Sequence, residues 1–186
     1  MTPPAGTVDT PRLRLRPVRA SDAAETARLM TPAVSRWLAT WLSPITEAAV
    51  AERLAWATAA AAAGTVLCFA IERRDDGVMM GWVTVMRSQG DPARGDLGYW
   101  LGEPFHGRGY MREAARAALD QAFSRLGLSV VEAGAQPDNG ASLRVMRALG
   151  MRPVGARMVW ASARSREELC EYYEITRDVH EATALE

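Results

Sequence analysis

The sequence predicts a mixed α/β domain built on one central sheet, and three observations carry that reading. Residues 12–16 alternate polar and apolar, and from residue 66 the pattern changes to that of strands. Between these runs lie helical-period stretches with recognisable start and stop residues. The chain is 186 residues, 48% hydrophobic, with no repeat, low-complexity linker or shift in composition to mark a second domain.

Taken in order, residues 12–16 (Arg-Leu-Arg-Leu-Arg) alternate as a strand that Pro17 ends. Ser21 and Asp22 read as an N-cap for an alanine-rich helix reaching Met30. Trp37, Leu38, Trp41 and Leu42 recur at a spacing that predicts one apolar helical face. Thr46 and Glu47 cap a longer helix, with Val50, Leu54 and Ala57 on one side and Gly64 as its stop. Residues 66–73 and 78–87 form a predicted hairpin around Asp75-Asp76-Gly77, and residues 94–101 a third strand after the Gly90-Asp91-Pro92 turn. Residues 109–126 are helical, with Ala114, Ala118, Leu119 and Ala122 inward and Gly127 at the end. A strand at 128–135, a short helix at 142–149 opened by Pro137-Asp138-Asn139, and strands at 154–161 and 169–177 complete the domain. Such an order of strands and helices suits a single mixed sheet.

Composition removes several classes of function. The 22 basic residues are all arginine, balanced by 22 acids. Without lysine there is no P-loop, no protein-kinase lysine and no Schiff-base amine. Two cysteines, Cys68 and Cys170, make no disulfide framework or C-x-x-C site and read as small buried hydrophobes, and His106 and His180 have no metal-ligand spacing. The N-terminus lacks the pattern of a signal peptide, and the longest apolar stretch, residues 55–63, is far short of the ~20 residues a membrane span requires. Balanced charge gives no reason to expect nucleic-acid or membrane binding, so the expectation is a cytoplasmic protein.

Residues 96–115, D-L-G-Y-W-L-G-E-P-F-H-G-R-G-Y-M-R-E-A-A, carry the chemistry. A strand runs into Gly102, then a glycine-rich turn, then a helix. The first N–H groups of a helix have no internal partner and sit at the positive end of its dipole. Gly107 and Gly109 let an anion approach the main chain, and Arg108 and Arg112 add charge there. This suits a pyrophosphate, although the turn is no Rossmann fingerprint, because Arg112 stands where that motif needs its third glycine.

These residues resemble the GNAT family of N-acetyltransferases, whose motif Q/R-x-x-G-x-G/A opens the helix that binds the coenzyme A pyrophosphate. The corresponding positions are His106-Gly107-Arg108-Gly109-Tyr110-Met111, with glycine matching at the fourth and departures at the first and sixth. Gly98-Tyr99-Trp100-Leu101 and Gly107-Arg108-Gly109-Tyr110-Met111 are similar to the RimJ/RimL-like branch, the ribosomal-protein alanine acetyltransferases. Three more blocks agree in order: Thr10 to Pro17 followed by Ser21-Asp22-Ala23, then Asn139 to Ser142 with Leu149-Gly150-Met151, and Glu171 to Asp178. The resemblance implies the GNAT fold, a mixed, mostly antiparallel central sheet with helices on both faces. It spans a single domain at 10–178, between a flexible N-terminus at 1–9 and a tail at 179–186.

It also implies direct attack of an amine on the thioester of acetyl-CoA, which suits a sequence with no nucleophile motif. The Trp100-Leu101 main chain would run beside the pantetheine, with His106, Gly107, Arg108, Gly109, Tyr110, Met111 and Arg112 around the pyrophosphate. Asn139 would hydrogen-bond the pantetheine and also reads as a helix N-cap. Many relatives place a tyrosine acid at the position of Met146; Ser142, three residues after Asn139, is the remaining candidate to hydrogen-bond the departing sulfur. Asp96, on one strand face with Gly98 and Trp100, and Glu103 are the candidate bases. His106 has a suitable pKa, but its motif position belongs to pyrophosphate binding. Of the tryptophans in the N-terminal half, Trp37 and Trp41 are candidates for a wall of the acceptor groove and Trp56 for core packing.

Two classes of function stay open beside the leading one, an N-acetyltransferase acting on a protein N-terminus or a small-molecule amine. These are a non-catalytic acyl-CoA sensor on the same fold and a detoxifying enzyme for amino acids or antibiotics. The expected assembly is a monomer or homodimer. Charge supports a polyanionic ligand: residues 104–157 hold eight arginines against four acids, and residues 158–186 three against seven.

Overall fold

The computed structural model describes residues 6–183. Eight strands form one sheet in the order β1-β2-β3-β4-β5-β6-β8-β7. These are β1 (Val8–Asp9), β2 (Leu13–Pro17), β3 (Val66–Arg73), β4 (Met79–Arg87), β5 (Arg94–Leu101), β6 (Val130–Ala135), β7 (Arg152–Ala161) and β8 (Arg166–Thr176). All neighbouring pairs are antiparallel except β5 with β6. Six helices accompany them: α1 (Ala23–Leu29), α2 (Pro32–Ser35), α3 (Glu47–Ala62), α4 (Tyr110–Arg125), α5 (Gly140–Ala148) and α6 (Arg177–Thr183). None among the described residues is long and apolar enough to cross a membrane.

The core follows the predicted patterns. Leu13 and Leu15 are fully buried on β2, as are Phe69, Ala70 and Ile71 on β3 and Val83 and Val85 on β4. α3 buries Val50, Leu54 and Ala57, and its Thr46 cap accepts a hydrogen bond from Ala49 N. α4 packs its alanines and Leu119 flat against the sheet. Arg16 departs from the polar-out alternation of β2. It is buried in a bidentate pair with Asp22 (2.7 and 2.8 Å) and a bond to Glu72 (2.7 Å), so Asp22 serves this pair and the backbone N–H of Arg19 rather than capping α1.

Three expectations are corrected. Residues 37–42 do not form a helix. The carbonyls of Ser35, Leu38 and Ala39 accept from Ala163 N and the Arg164 guanidinium on the β7–β8 turn, which draws them out of an i→i+4 ladder. At the N-terminus, Val8 and Asp9 pair with Leu15 and Arg14, so the ordered sheet begins before residue 10; residues 1–5 lie outside the described part. Most of the expected C-terminal tail is helix α6, which buries His180 against Phe123 with its Nε2 2.5 Å from Asp120; residues 184–186 lie outside the described part.

One irregularity of the sheet positions everything that follows. β5 and β6 are in register at three pairs only, Arg94–Val130, Gly95–Val131 and Asp96–Glu132. Beyond Asp96, β5 stays with β4 and β6 stays with β8, so the sheet splits. The edge of residues 97–101 that faces away from β4 has no strand partner.

Candidate active site

The split opens a cavity of about 1300 Å³ that runs through the sheet. Residues from both faces of β5 line it: Asp96, Gly98 and Trp100 from one, Leu97, Tyr99 and Leu101 from the other.

At one end lies the glycine turn. Gly107 and Gly109 both take left-handed φ angles, 73° and 74°, which places glycine where a side chain would strain the backbone. Gly109 is the N-cap of α4 and brings no side chain to it, so the N–H groups of Tyr110, Met111 and Arg112 face the cavity without a capping partner. Arg112 and Arg144 line the same end, and among the described residues neither meets a carboxylate. Bare helix N–H groups, two unpaired guanidiniums and a turn with no side chain at its two bends fit a pyrophosphate.

Arg12, just before β2, fastens this turn. Its guanidinium donates to the Arg108 carbonyl (2.9 Å), pairs with Glu113 (2.6 Å) and lies 4.8 Å from the centre of the Tyr110 ring. Burial pushes Glu113 up, but the Thr10 hydroxyl and the Arg12 backbone and side chain outweigh it and hold its pKa below the ordinary value. The His106 ring is also structural here: its Nε2 lies 2.8 Å from the Leu101 carbonyl, so it donates there and closes the turn onto the end of β5.

At the apex of the split, Asp96 sits opposite Glu132. Burial and the neighbouring Glu132 carboxylate raise the Asp96 pKa, against a smaller opposing pull from Arg157 and Arg94. On the other face, the Tyr99 hydroxyl lies 2.8 Å from Ser142 Oγ, and burial pushes the phenol up to about 12. Tyr99 is therefore a neutral donor across the neutral pH range. Asn139 Oδ1 accepts from Ser142 N (3.2 Å) and caps α5, which fixes where the Ser142 side chain stands.

The opposite end is aromatic. Trp41 packs edge-on to Trp82 (5.2 Å between centres) and against Trp100 (5.8 Å), while Trp56 on α3 stands at the rim. The β7–β8 turn bridges this end through Ala163 N to Ala39 O (2.9 Å) and Arg164 to Ser35 O and Leu38 O. Glu168 lines the cavity beneath the bridge. Arg164, with Arg166 and Gln136, holds it at a pKa of about 2.

Of the thirteen candidate catalytic and coenzyme-binding residues, eleven line this one cavity: Asp96, Trp100, Leu101, His106, Gly107, Gly109, Tyr110, Met111, Arg112, Asn139 and Ser142; the groove candidates Trp37 and Trp41 line it too. Two do not. Glu103 turns outward and accepts from the Thr31 hydroxyl (2.5 Å), because the 3-10 turn after Gly102 carries it off the line of β5. Arg108 is not among the cavity's lining residues, and its carbonyl accepts from Arg12 in the turn. Cys170 is half-buried in the cavity wall rather than in the core. Tyr99, Arg12 and Arg144 were not anticipated as site residues. Alternation along β5 was the one available signal, since it puts Tyr99 on the face opposite Asp96.

A split mixed sheet with a bare helix start at its mouth fits a class of protein that takes a long, phosphate-bearing ligand. Comparison with known proteins gives the class a family: the domain described as "Acetyltransferase (GNAT) domain" matches residues 12–152, and the chain belongs to that family. Among curated proteins it is similar to the uncharacterized N-acetyltransferase YnaD of Bacillus subtilis, 31% identical over 87 residues, covering 47% of this chain and 51% of that one. A second relative, the probable N-acetyltransferase YjcK of the same organism, is 41% identical over 59 residues, covering 32% of this chain and 33% of that one. The matches thus span a third to a half of those relatives' length. Among solved structures, a GNAT acetyltransferase from Bacillus anthracis superposes with a TM-score of 0.79 at 20% identity, covering 92% of this chain and 99% of that one. RimJ of Mycobacterium smegmatis in complex with CoA-disulfide superposes at 0.76 with 24% identity, covering 93% and 88%. At these identities the superpositions establish the fold.

Proposed function

We propose that the protein transfers an acetyl group from acetyl-CoA to a primary amine by direct attack. The observation that carries this reading is the split between β5 and β6. It brings the Asp96 carboxylate, with its raised pKa, and the Tyr99 hydroxyl, bonded to Ser142 of α5, from opposite faces of one strand into one cavity. When bound, acetyl-CoA supplies the thioester carbonyl and carries the group that leaves as thiol.

The main chain of residues 97–101 and the α4 N-terminus hold the coenzyme, with Asn139 at the start of α5 beside it. Asp96 removes a proton from the incoming ammonium, directly or through one water; its raised pKa makes it a better proton acceptor than an exposed aspartate. The free amine then forms the new C–N bond as the C–S bond breaks; the nitrogen loses its surplus proton to water, and the proton Ser142 gives the sulfur is replaced through Tyr99 from solvent. Tyr99 donates to Ser142 Oγ, which leaves the Ser142 proton directed at the departing sulfur. No side chain need form a covalent intermediate.

The test is thiol release from acetyl-CoA against a panel of amines, read with a thiol reagent. Release that depends on both acetyl-CoA and an amine, and that falls about a hundredfold in D96N, supports the reading. Tight acetyl-CoA binding with no release against any amine would support a sensory module instead.

A further inference from the structure

Arg53 has no role in the chemistry above, yet it lines the aromatic end of the cavity. It projects from α3 on the stripe of Ala49, Glu52, Arg53 and Trp56, adjacent to the buried stripe of Val50, Leu54 and Ala57. Its guanidinium lies 4.6 Å from the centre of the Trp41 ring, and one NH2 group donates to the Thr40 carbonyl. Among the described residues no carboxylate pairs with it, and desolvation lowers its pKa with no acid opposing the effect. Three of the acids that line or border the cavity are engaged. Glu168 belongs to Arg164 and Arg166, and Asp96 and Glu132 sit at the apex with Arg94 and Arg157. Glu52, the preceding residue on the same stripe, lines the cavity and is exposed, and among the described residues it forms no ion pair with Arg53.

A half-buried arginine with a free side to its fork is costly to keep unless something anionic meets it. Resting on the acetyltransferase reading, we infer that Arg53 binds a carboxylate carried by the acceptor, so that the acceptor is a small amino acid with an aromatic or apolar body. The Thr40 bond and the Trp41 face fix the plane of the guanidinium, leaving its other N–H groups for a two-point contact with a carboxylate. Trp41, Trp56, Trp82 and Trp100 supply the surface for the body of the molecule. Asp96 at the apex takes the amine. The bridge from the β7–β8 turn to residues 35–39 spans this end of the cavity, which favours a compact acceptor over a protein chain.

The experiment uses matched probes: tryptophan, phenylalanine and methionine against their amides and decarboxylated amines, with a short peptide of free N-terminal alanine as a further arm. Binding is measured by calorimetry on CoA-saturated protein, and turnover by thiol release. The wild type is expected to prefer at least one acid over its amide by about tenfold to a hundredfold, the range for a charge-assisted contact. R53Q, which retains a donor for Thr40, should collapse that ratio towards one by raising the Kd and KM of the acid, while acetyl-CoA affinity stays within twofold. R53K, which retains the charge but not the fork, should fall between them. R53A guards against a folding artefact in R53Q, and thermal melts of all three confirm the fold. Equal binding of acids and amides by the wild type, preference for the peptide, or an acid preference that survives R53Q would overturn the assignment. Acid binding that depends on Arg53 with no thiol release would uphold the Arg53 site and sink the transferase reading.

Discussion

The glycine turn offers a test that separates backbone conformation from anion binding. Gly109 adopts φ 74°, and a Cβ built there meets its nearest atom, Arg12 Nη2, at 3.6 Å, an ordinary contact. Alanine therefore fits sterically and costs only the left-handed conformation, about 1–2 kcal/mol. On a domain of this size that lowers Tm by about 2–8 °C. Glutamate bears the same conformational cost but adds a carboxylate beside the bare N–H groups of α4. Two unit charges about 4 Å apart at an effective dielectric of about 20 repel by about 4 kcal/mol. If solvent screens half of that, about 2 kcal/mol remains, or about thirtyfold in affinity. The expectation is therefore that G109A and G109E melt at similar temperatures while acetyl-CoA binds G109E at least thirtyfold more weakly than G109A. Titration calorimetry at 50 and 200 mM salt reads this, and the gap should narrow at the higher salt. If G109E binds acetyl-CoA within threefold of G109A, the turn does not hold the phosphates, and the cofactor orientation argued above is wrong.

Four further outcomes follow from the same geometry. Asp96 has a raised pKa, so the folded state holds its proton more tightly than the unfolded chain. Its contribution to stability is present below the unfolded pKa and lost as pH rises through the folded one. D96N should accordingly melt no lower than the wild type at pH 7 while losing about a hundredfold in kcat, and a drop in both would point to a structural role. E132Q removes the like charge that helps raise Asp96, so the acid limb of the kcat/KM profile should move to lower pH; an unmoved limb would assign it to another group. Y99F and S142A should each lower kcat about tenfold with little change in acetyl-CoA affinity, and the double variant should be no worse than the poorer single one; additive losses would dissolve the relay. R12A should weaken acetyl-CoA binding about tenfold by freeing the turn, with a smaller effect on the acceptor KM, and an unchanged Kd would show that the turn holds itself.

Legibility in the sequence divides along the same line as the cavity. The coenzyme end could be read because its determinants are local. Strand β5, Gly107, Gly109 and the start of α4 lie within some twenty residues, and left-handed glycines before a helix have a direct physical meaning. Strands β3 and β5 fall at the expected residues, 66–73 and 94–101, for the same reason. What the sequence concealed is made of contacts between distant segments. Arg12 reaches Arg108 across 96 positions, Tyr99 reaches Ser142 across 43, and Arg164 reaches Ser35 across 129. Residues 37–42 show the same limit from the other side: their helical spacing was real, but the β7–β8 turn claims the carbonyls a helix would use. Glu103 failed for a local reason, since one 3-10 turn past Gly102 is enough to swing a carboxylate out of the site.

This division bears on specificity. The half of the site that binds a ligand common to a family can be encoded in one short motif. The half proposed to select the acceptor is assembled from α3, residues 37–41, the splayed strands and the β7–β8 turn, which come from three well-separated parts of the chain. A substitution in any one of them alters the acceptor wall without touching the turn at Gly107 and Gly109. Resemblance in the motif therefore carries information about the coenzyme and none about the amine. For the amine, the informative residue is one that no motif contains: the unpaired guanidinium of Arg53 against Trp41.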